Sequence, residues 1–585
     1  MRNFHYRQCV WVVSPQLVAI VSVSANRTHL IQSTAIMFTT YDSRTKIWSG
    51  VKMPGPFNPQ ANLGHLILNV LERNPSMVAQ VSVESGVELT CEELRLRSIR
   101  AAQNLTKLGY QQGDMIGFAV RNRENVAPLV YGCFLIGAPV NCVDPDFTVD
   151  DMAHMFRISK PTLVMADGDN VETVKRACRD AEINAKIVVV ADDADCDGGD
   201  ISVKDVLQKT ENEQFFFPPY LGDSEKLIAA VVCSSGTTGM PKGICLSHAH
   251  IIHQSALICN IHMYRTPFAF SSLYWVSGFY QLIQSPFNNC PRYISTRRFS
   301  PEALFEIVEK YSITHVFCPP AQIAMILQSP QLGEANLSSI KTFYSAGGPV
   351  SPGLRQSLEK QIPSCRTAVG YGTSEIGYIA TDAFGFMREG SVGMLATNIE
   401  AKLLDDDGNQ VDMKEHGVLW FRYPIKPLGY LHNEAATDEL LTDDGWVSTG
   451  DVGYFDDDSF LFLVDRKKEI IKYKSYQISP AEIEAVIEQL PEVAQACVVG
   501  LFDPVMHVDL PTAVVQIRPH CTLVEERVVE HVANKLAEFK HLRGGVFFMD
   551  ELPTTKSGKL QRYEIRKYAE MRVGKNASKI HPTGG

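Results

Sequence analysis

The stretch LTCEELRLRSIRAAQNLTKLG, Leu89–Gly109, followed by DMIGFAV, Asp114–Val120, decides the fold. The first segment carries apolar side chains at helical spacing, and the second is a short apolar run of strand length. The same order returns in NVAPLVYGCFLIG, Asn125–Gly137, followed by APVNCV, Ala138–Val143, and again in SPEALFEIVEKYS, Ser300–Ser312, followed by ITHVFCPP, Ile313–Pro320. Helix alternating with buried strand from about Pro59 onward predicts an α/β fold with mainly parallel sheets.

The chain has 585 residues, 45% of them hydrophobic and 21% charged, which is the balance of a globular protein with ample core material. At this length several packing units are expected, because single cores stop growing at roughly 250 to 300 residues. A net charge of -11 gives no reason to expect nucleic acid as a partner. The 14 cysteines show neither CxxC pairs nor zinc-like spacing, so they read as reduced, mostly buried thiols in a reducing compartment. At the N-terminus, Arg2 and Arg7 precede an apolar stretch ending in Val23-Ser24-Ala25, a loose imitation of a secretory signal that Pro15 and Gln16 interrupt. The other reading is an unfolded extension, with Met37 as a second possible start. No segment is continuous and apolar enough to be expected to span a bilayer.

After Gly385 the texture changes to short strands joined by Asp/Gly turns, as in EGSVGMLATNIEAKLLDDDGNQV and HGVLWFRYPI. This predicts a small, distorted β-barrel. The charged connector Asp465-Arg466-Lys467-Lys468 then leads to a last segment whose first helix opens on SPAE, Ser479–Glu482, a capping box with proline at the first helical position. Further strand- and helix-like runs make it a separate α+β unit of plausible domain size.

Between the strand-like runs Lys226–Val232 and Gly243–Leu246 lies CSSGTTGMPKG, Cys233–Gly243. Small residues that let backbone N–H groups approach, hydroxyls and Lys242 are the chemistry of an anion cradle. The spacing is not that of a Walker loop, since Pro241 precedes Lys242 and Gly243 follows it. Ser247 stands where it would cap a helix beginning at His248. By composition alone, the stretch is equally an ordinary Gly/Ser turn.

Its company is more specific. SSGTTGMPKG is followed in order by SAGGPV (Ser345–Val350), YGTSE (Tyr371–Glu375), STGD (Ser448–Asp451), DRKKEIIKYKSYQISPAEIE (Asp465–Glu484) and PTTKSGK (Pro553–Lys559). Together these motifs resemble the adenylate-forming superfamily of acyl-CoA synthetases, 4-coumarate-CoA ligases and beetle luciferases, over about residues 55 to 570, with a texture especially like the insect luciferase-like branch. The resemblance implies a large N-terminal domain of two stacked α/β subdomains plus the small barrel, followed by a mobile α+β lid. The expected division is an extension over 1–54, an AMP-binding domain over 55–465 and a C-terminal lid over 466–575.

The resemblance also implies the chemistry: a carboxylate attacks the α-phosphate of ATP to give acyl-AMP and pyrophosphate, and a thiol then takes the acyl group. It places Ser234, Ser235, Gly236, Thr237, Thr238, Gly239 and Lys242 around the β- and γ-phosphates. Gly347 and Gly348 would leave a flat slot for adenine against Tyr371, beside Gly372 and Thr373, with Ser374 at phosphate and Glu375 holding Mg²⁺. Asp451, acceptor-only when ionised, suits ribose hydroxyls, with Arg466 nearby. Lys559 would bridge the α-phosphate and the substrate carboxylate in the first step. The lid would then swing about Lys468 to present the Lys472 to Gln477 face for thioester formation. Taken singly, each of these residues reads as a turn, a core side chain or a solvated charge.

Two positions depart from the pattern. Ser475 stands where the family commonly has glycine beside the pantetheine path, which puts CoA use in question. In SLYWVSGFY, Val276-Ser277 replace the histidine pair of beetle luciferases, which weighs against light emission. The expectation is an ATP-dependent acyl-CoA ligase for medium- or long-chain fatty acids, using ATP, Mg²⁺ and CoA. The alternatives are a luciferase-like monooxygenase, a stand-alone aryl or amino-acid adenylating enzyme, and a non-catalytic ATP- or acyl-binding relic, which would be expected to have lost Lys559, Glu375 or Asp451. A cytoplasmic or peroxisomal location is expected, although HPTGG is not a Ser-Lys-Leu ending and Ser578-Lys579-Ile580 lies too far inside to serve.

Overall fold

The computed structural model describes residues 39–585 except 55–56, 59, 192–199, 234–241, 260–265, 349, 383–386, 467–468, 474–475, 504–507, 537, 555–558 and 581–585. Only the backbone is described at 256–259, 465–466, 472, 476–477, 508 and 574–580. The signal-like reading of the first residues, the pivot Lys468 and Ser475 therefore lie outside the described residues.

The opening stretch folds as its pattern requires. Thr90 caps the helix Cys91–Lys107 in a capping box, its hydroxyl accepting from the Glu93 N–H while the Glu93 carboxylate accepts from the Thr90 N–H. The next strand, Ile116–Ala119, is buried on both faces. The helix Val126–Ile136 is buried at every position, which explains why it is apolar all round and shows no polar face. These strands build a seven-stranded sheet in the order Gly243–Ser247, Ile228–Cys233, Val140–Cys142, Ile116–Ala119, Leu163–Ala166, Lys186–Val189, Ile201–Ser202, parallel except for the first pair.

A second, six-stranded sheet runs Pro267–Phe268, His315–Phe317, Thr342–Ser345, Arg366–Thr373, Gly377–Thr381, Met394–Leu395. Its first four strands are parallel and its last two antiparallel. The helix Pro301–Tyr311, capped by the Ser300 hydroxyl on the Ala303 N–H, packs into the core beside this sheet.

The strands expected after Gly385 form a six-stranded antiparallel sheet, in the order Thr39–Asp42, Ile47–Gly50, Glu400–Leu404, Gly417–Arg422, Trp446–Phe455, Leu461–Arg466. Its first two strands come from the stretch read above as an N-terminal extension. Ile47–Gly50 pairs with Glu400 and Ala401, and Trp48 is fully buried and stacked on Phe455 at a 4.6 Å centroid separation. Burial of that indole is what draws the hairpin onto a sheet whose other strands lie some 350 residues further along.

The C-terminal segment contains a hairpin, Ile471–Tyr473 with Tyr476–Ile478, and a three-stranded sheet of Val493–Asp503, Val508–Ile517 and Val546–Phe548, packed with the helices Pro480–Ile487 and Glu525–Ala533. Pro480 does open its helix, but the capping box does not form. The Ser479 hydroxyl donates to the Val464 carbonyl at 3.0 Å, and Glu482 takes the Lys540 ammonium at 2.6 Å. Ser479 has a competing carbonyl in reach on the strand Leu461–Arg466, and that contact wins.

Candidate active site

The cradle sequence joins two antiparallel strands in which Cys233 pairs with Gly243. Ser234, Ser235, Gly236, Thr237, Thr238 and Gly239 lie outside the described residues, but Lys242 at the loop's exit is described. The Ser247 hydroxyl accepts from the His250 N–H at 3.1 Å and so caps the helix His248–Cys259.

Lys242 and Glu375 meet at one side chain that sequence reasoning missed. The Lys242 ammonium lies 4.9 Å from the centre of the Tyr430 ring, and the Tyr430 hydroxyl donates to Glu375 Oε1 at 2.9 Å. Burial and the neighbouring Glu375 carboxylate raise the Tyr430 phenol well above its ordinary value, so it remains a donor. The backbone keys Tyr430 to the cradle: Leu431 N–H donates to Gly243 O at 2.8 Å, and Cys245 N–H to Gly429 O at 2.9 Å. The Tyr430 N–H itself donates to the Thr437 hydroxyl at 2.9 Å.

A second missed residue holds the turn behind Glu375. Gln254 donates through Nε2 to the Ile376 carbonyl and accepts through Oε1 from the Tyr378 N–H, both at 3.0 Å. Gly377 between them has φ +88°, and a Cβ there would overlap the Gln254 amide. No local pattern marks Gln254 or Tyr430; their roles come from partners 122 and 55 residues away.

Tyr371, Gly372 and Thr373 end the strand Arg366–Thr373, and Ser374 and Glu375 form the turn that follows. Tyr371 donates to the buried carboxylate of Asp451 at 2.5 Å. Asp451 in turn pairs across the third sheet with Arg466 in backbone register. Gly347 and Gly348 follow the neighbouring strand Thr342–Ser345. A Cβ at Gly347 would meet nothing within 4 Å, and one at Gly348 would touch the Pro320 ring at 3.5 Å.

The remaining candidates belong to the C-terminal segment. Lys472 and Gln477 face each other across the hairpin in backbone register. Lys559 lies at the end of a loop closed by the Thr554 and Leu560 bridge. Three residues on, Arg562 is tied to Glu469 and Glu484, each at 2.9 Å, across the base of the same segment. In SLYWVSGFY the Ser277 hydroxyl donates to the Ser271 hydroxyl at 2.9 Å.

Among the described residues no group of three or more His, Cys, Asp or Glu side chains is arranged to hold a metal. A single carboxylate such as that of Glu375 suits Mg²⁺, which is usually held by one or two carboxylates together with substrate phosphates and water. Glu375 would supply the carboxylate, with Ser374 adjoining.

Residues 69–431 match the family of AMP-binding enzymes, and residues 482–559 match the AMP-binding enzyme C-terminal domain. The chain belongs to the AMP-binding enzyme family, the adenylate-forming class whose CoA ligases use ATP, Mg²⁺ and CoA. It is 29% identical to a probable 4-coumarate–CoA ligase 1 of Dictyostelium discoideum over 535 residues, 88% of this chain and 97% of that one. It is equally 29% identical to the luciferin 4-monooxygenase of Photinus pyralis over 542 residues, 88% of this chain and 96% of that one. In fold it is similar to ATP-bound MatB from Rhodopseudomonas palustris, with a TM-score of 0.78 at 22% identity over 88% of this chain and 99% of that one. The luciferase-like enzyme of the nonluminescent Zophobas morio mealworm gives 0.66 at 23% identity, over 72% of this chain and 98% of that one.

All the cysteines described are free thiols, buried except for Cys521. No helix among the described residues is long and apolar enough to cross a membrane.

Proposed function

We propose that the chain is an AMP-forming acid–thiol ligase that activates a medium- or long-chain fatty acid as its acyl-adenylate and transfers the acyl group to CoA. The observation that carries the reading is the joining of Lys242 and Glu375 through Tyr430, beside the Tyr371–Asp451 pair. Read this way, Lys242 is a cation for phosphate, Glu375 a carboxylate for the magnesium that accompanies it and Asp451 an acceptor for ribose, drawn from distant segments of the chain. In this reading Lys242 and the cradle hold the departing pyrophosphate, and Asp451 and Arg466 hold the ribose. Lys559, carried by the lid over 466–575, neutralises charge at the α-phosphate. The Lys472–Gln477 hairpin serves the second step.

A second reading, an aryl acid such as a hydroxycinnamate, is favoured by the chain's similarity to 4-coumarate ligases. The rings of Phe317, Tyr344 and Tyr378 follow one another at 6.1 and 6.3 Å across the sheet that carries Tyr371, and they would suit a planar acid. Monooxygenase chemistry is disfavoured by Ser277, whose hydroxyl is engaged with Ser271. The test is pyrophosphate release across fatty, aromatic and amino acids, with and without CoA. Release that needs a fatty acid, with a thioester formed when CoA is present, supports the first reading. A preference for aromatic acids replaces it, and acyl-AMP without thioester at saturating CoA removes the ligase step.

A further inference from the structure

We propose that Tyr430 is a positioning residue for the magnesium carboxylate and the phosphate lysine together; the inference rests on the adenylating reading above. Tyr430 lies outside the motifs quoted above, and it touches both charged groups the proposed first step needs. Its hydroxyl binds Oε1 of Glu375, and its ring lies under the Lys242 ammonium. Held through Oε1, the carboxylate has its second oxygen to offer a cation.

Two features make this more than a chance contact. First, the bridge between Ile244 and Tyr430 ties the Tyr430 backbone to the strand that follows Lys242. Second, the turn bearing Glu375 is independently clamped by Gln254 on the Ile376 carbonyl and the Tyr378 N–H. With both sides held, the tyrosine sets the distance between the lysine and the carboxylate, which is the span a magnesium-bound diphosphate must bridge. One charge-assisted hydrogen bond is enough to fix a carboxylate that would otherwise rotate freely.

The ring and the hydroxyl have separable duties, and two substitutions separate them. Tyr430→Phe keeps the ring under Lys242 and loses the hydrogen bond to Glu375. Tyr430→Leu loses both. ATP affinity is measured by isothermal titration on the full chain, once in EDTA and once across a Mg²⁺ series, with pyrophosphate release followed in parallel. For Tyr430→Phe we expect unchanged affinity for metal-free ATP and about a tenfold rise in the Mg²⁺ concentration that half-saturates the tightening of ATP binding. For Tyr430→Leu we expect metal-free ATP to weaken as well, by about threefold, because the ammonium loses its ring face. A wild-type chain that binds no ATP overturns the adenylating reading itself. A wild type that binds ATP, with a Tyr430→Phe variant whose Mg²⁺ series superimposes on it, overturns only the role given to Tyr430. Equal weakening of ATP by Tyr430→Phe with and without metal also overturns it, since that is the signature of a merely structural side chain.

Discussion

The hydroxyl of Tyr371 donates to Oδ2 of Asp451, 80 residues further along the chain, at 2.5 Å. The bond joins the end of a strand in the second sheet to the centre of a strand in the third, and it holds a buried carboxylate in one orientation. In the proposed function that carboxylate accepts from ribose. Asp451→Ala is therefore expected to raise the KM for ATP at least about tenfold, the cost of losing hydrogen bonds to a charged acceptor. Tyr371→Phe, which leaves the acceptor but frees its orientation, should raise the same KM by a smaller factor. Steady-state pyrophosphate release at varied ATP measures both, and an unchanged KM in Asp451→Ala would remove the ribose assignment.

Lys559 leaves the loop closed by Thr554 and Leu560 just before Arg562, which is anchored to Glu469 and Glu484. Lys559→Ala should suppress acyl-AMP formation by several orders of magnitude more than it suppresses thioester formation from supplied acyl-AMP, because in the proposed function the ammonium acts where charge develops in the first step only. Assaying the half-reactions separately is the check. Equal losses in both would detach Lys559 from the adenylation step.

What the sequence disclosed and what it withheld follow from how far each signal reaches. The strand–helix order around Leu89–Val120 was legible because burial and helical spacing are written within about 30 residues. The Ser247 cap and the Pro480 helix start are local too, and both are present. The Ser479 box failed because its alternative partner, Val464, comes from the strand Leu461–Arg466 of the third sheet. The hairpin Thr39–Gly50 was illegible because TTYD and IWSG carry no alternation of their own, and their partners lie at Glu400 and Ala401. Candidate site residues embedded in the quoted motifs could be listed in advance, because a motif is local. Tyr430 and Gln254 could not, since each is a single side chain whose meaning is fixed by Glu375 and the turn behind it.

Trp48 supplies a direct test of that hairpin. It is fully buried between Tyr41, at a 4.5 Å centroid separation, and Phe455. Removing residues 1–54 should cost far more stability than removing residues 1–37, because only the longer deletion strips two strands from the six-stranded sheet. Trp48→Ala should cost about 3 to 5 kcal/mol, the usual range for emptying a large aromatic from a core. Urea unfolding followed by tryptophan fluorescence and circular dichroism reads all three variants. Equal midpoints for the two truncations would show that the hairpin is dispensable.

The helix that follows the cradle strand makes stability depend on pH. It carries His248, His250 and His253, each lowered by burial to about 4. His248 Nδ1 accepts from the Leu63 N–H at 3.3 Å, which places the ring proton on Nε2. The Nε2 atoms of His250 and His253 are buried without a hydrogen-bond partner among the described residues, and both rings pack near Tyr423, at 6.2 and 5.8 Å. Protonation would put cations into that packing, so the folded chain resists it while the unfolded chain, with an ordinary histidine value of about 6.5, does not. Between about pH 6.5 and 4 the unfolded state therefore binds more protons, and stability rises with pH across that window. The contribution is fully present above about pH 6.5 and is lost as pH falls toward 4, with every tenfold drop in one histidine's proton affinity costing the folded state about 1.4 kcal/mol. Urea unfolding at pH 7.5, 6.0 and 5.0 should show a progressive loss of several kcal/mol, to which carboxylates contribute little above pH 5. His253→Gln cannot be protonated and should lose less between pH 7.5 and 5.0 than the parent chain, whatever its absolute stability. Identical losses in the two chains would show that His253 is charged, or reaches solvent, in the folded state.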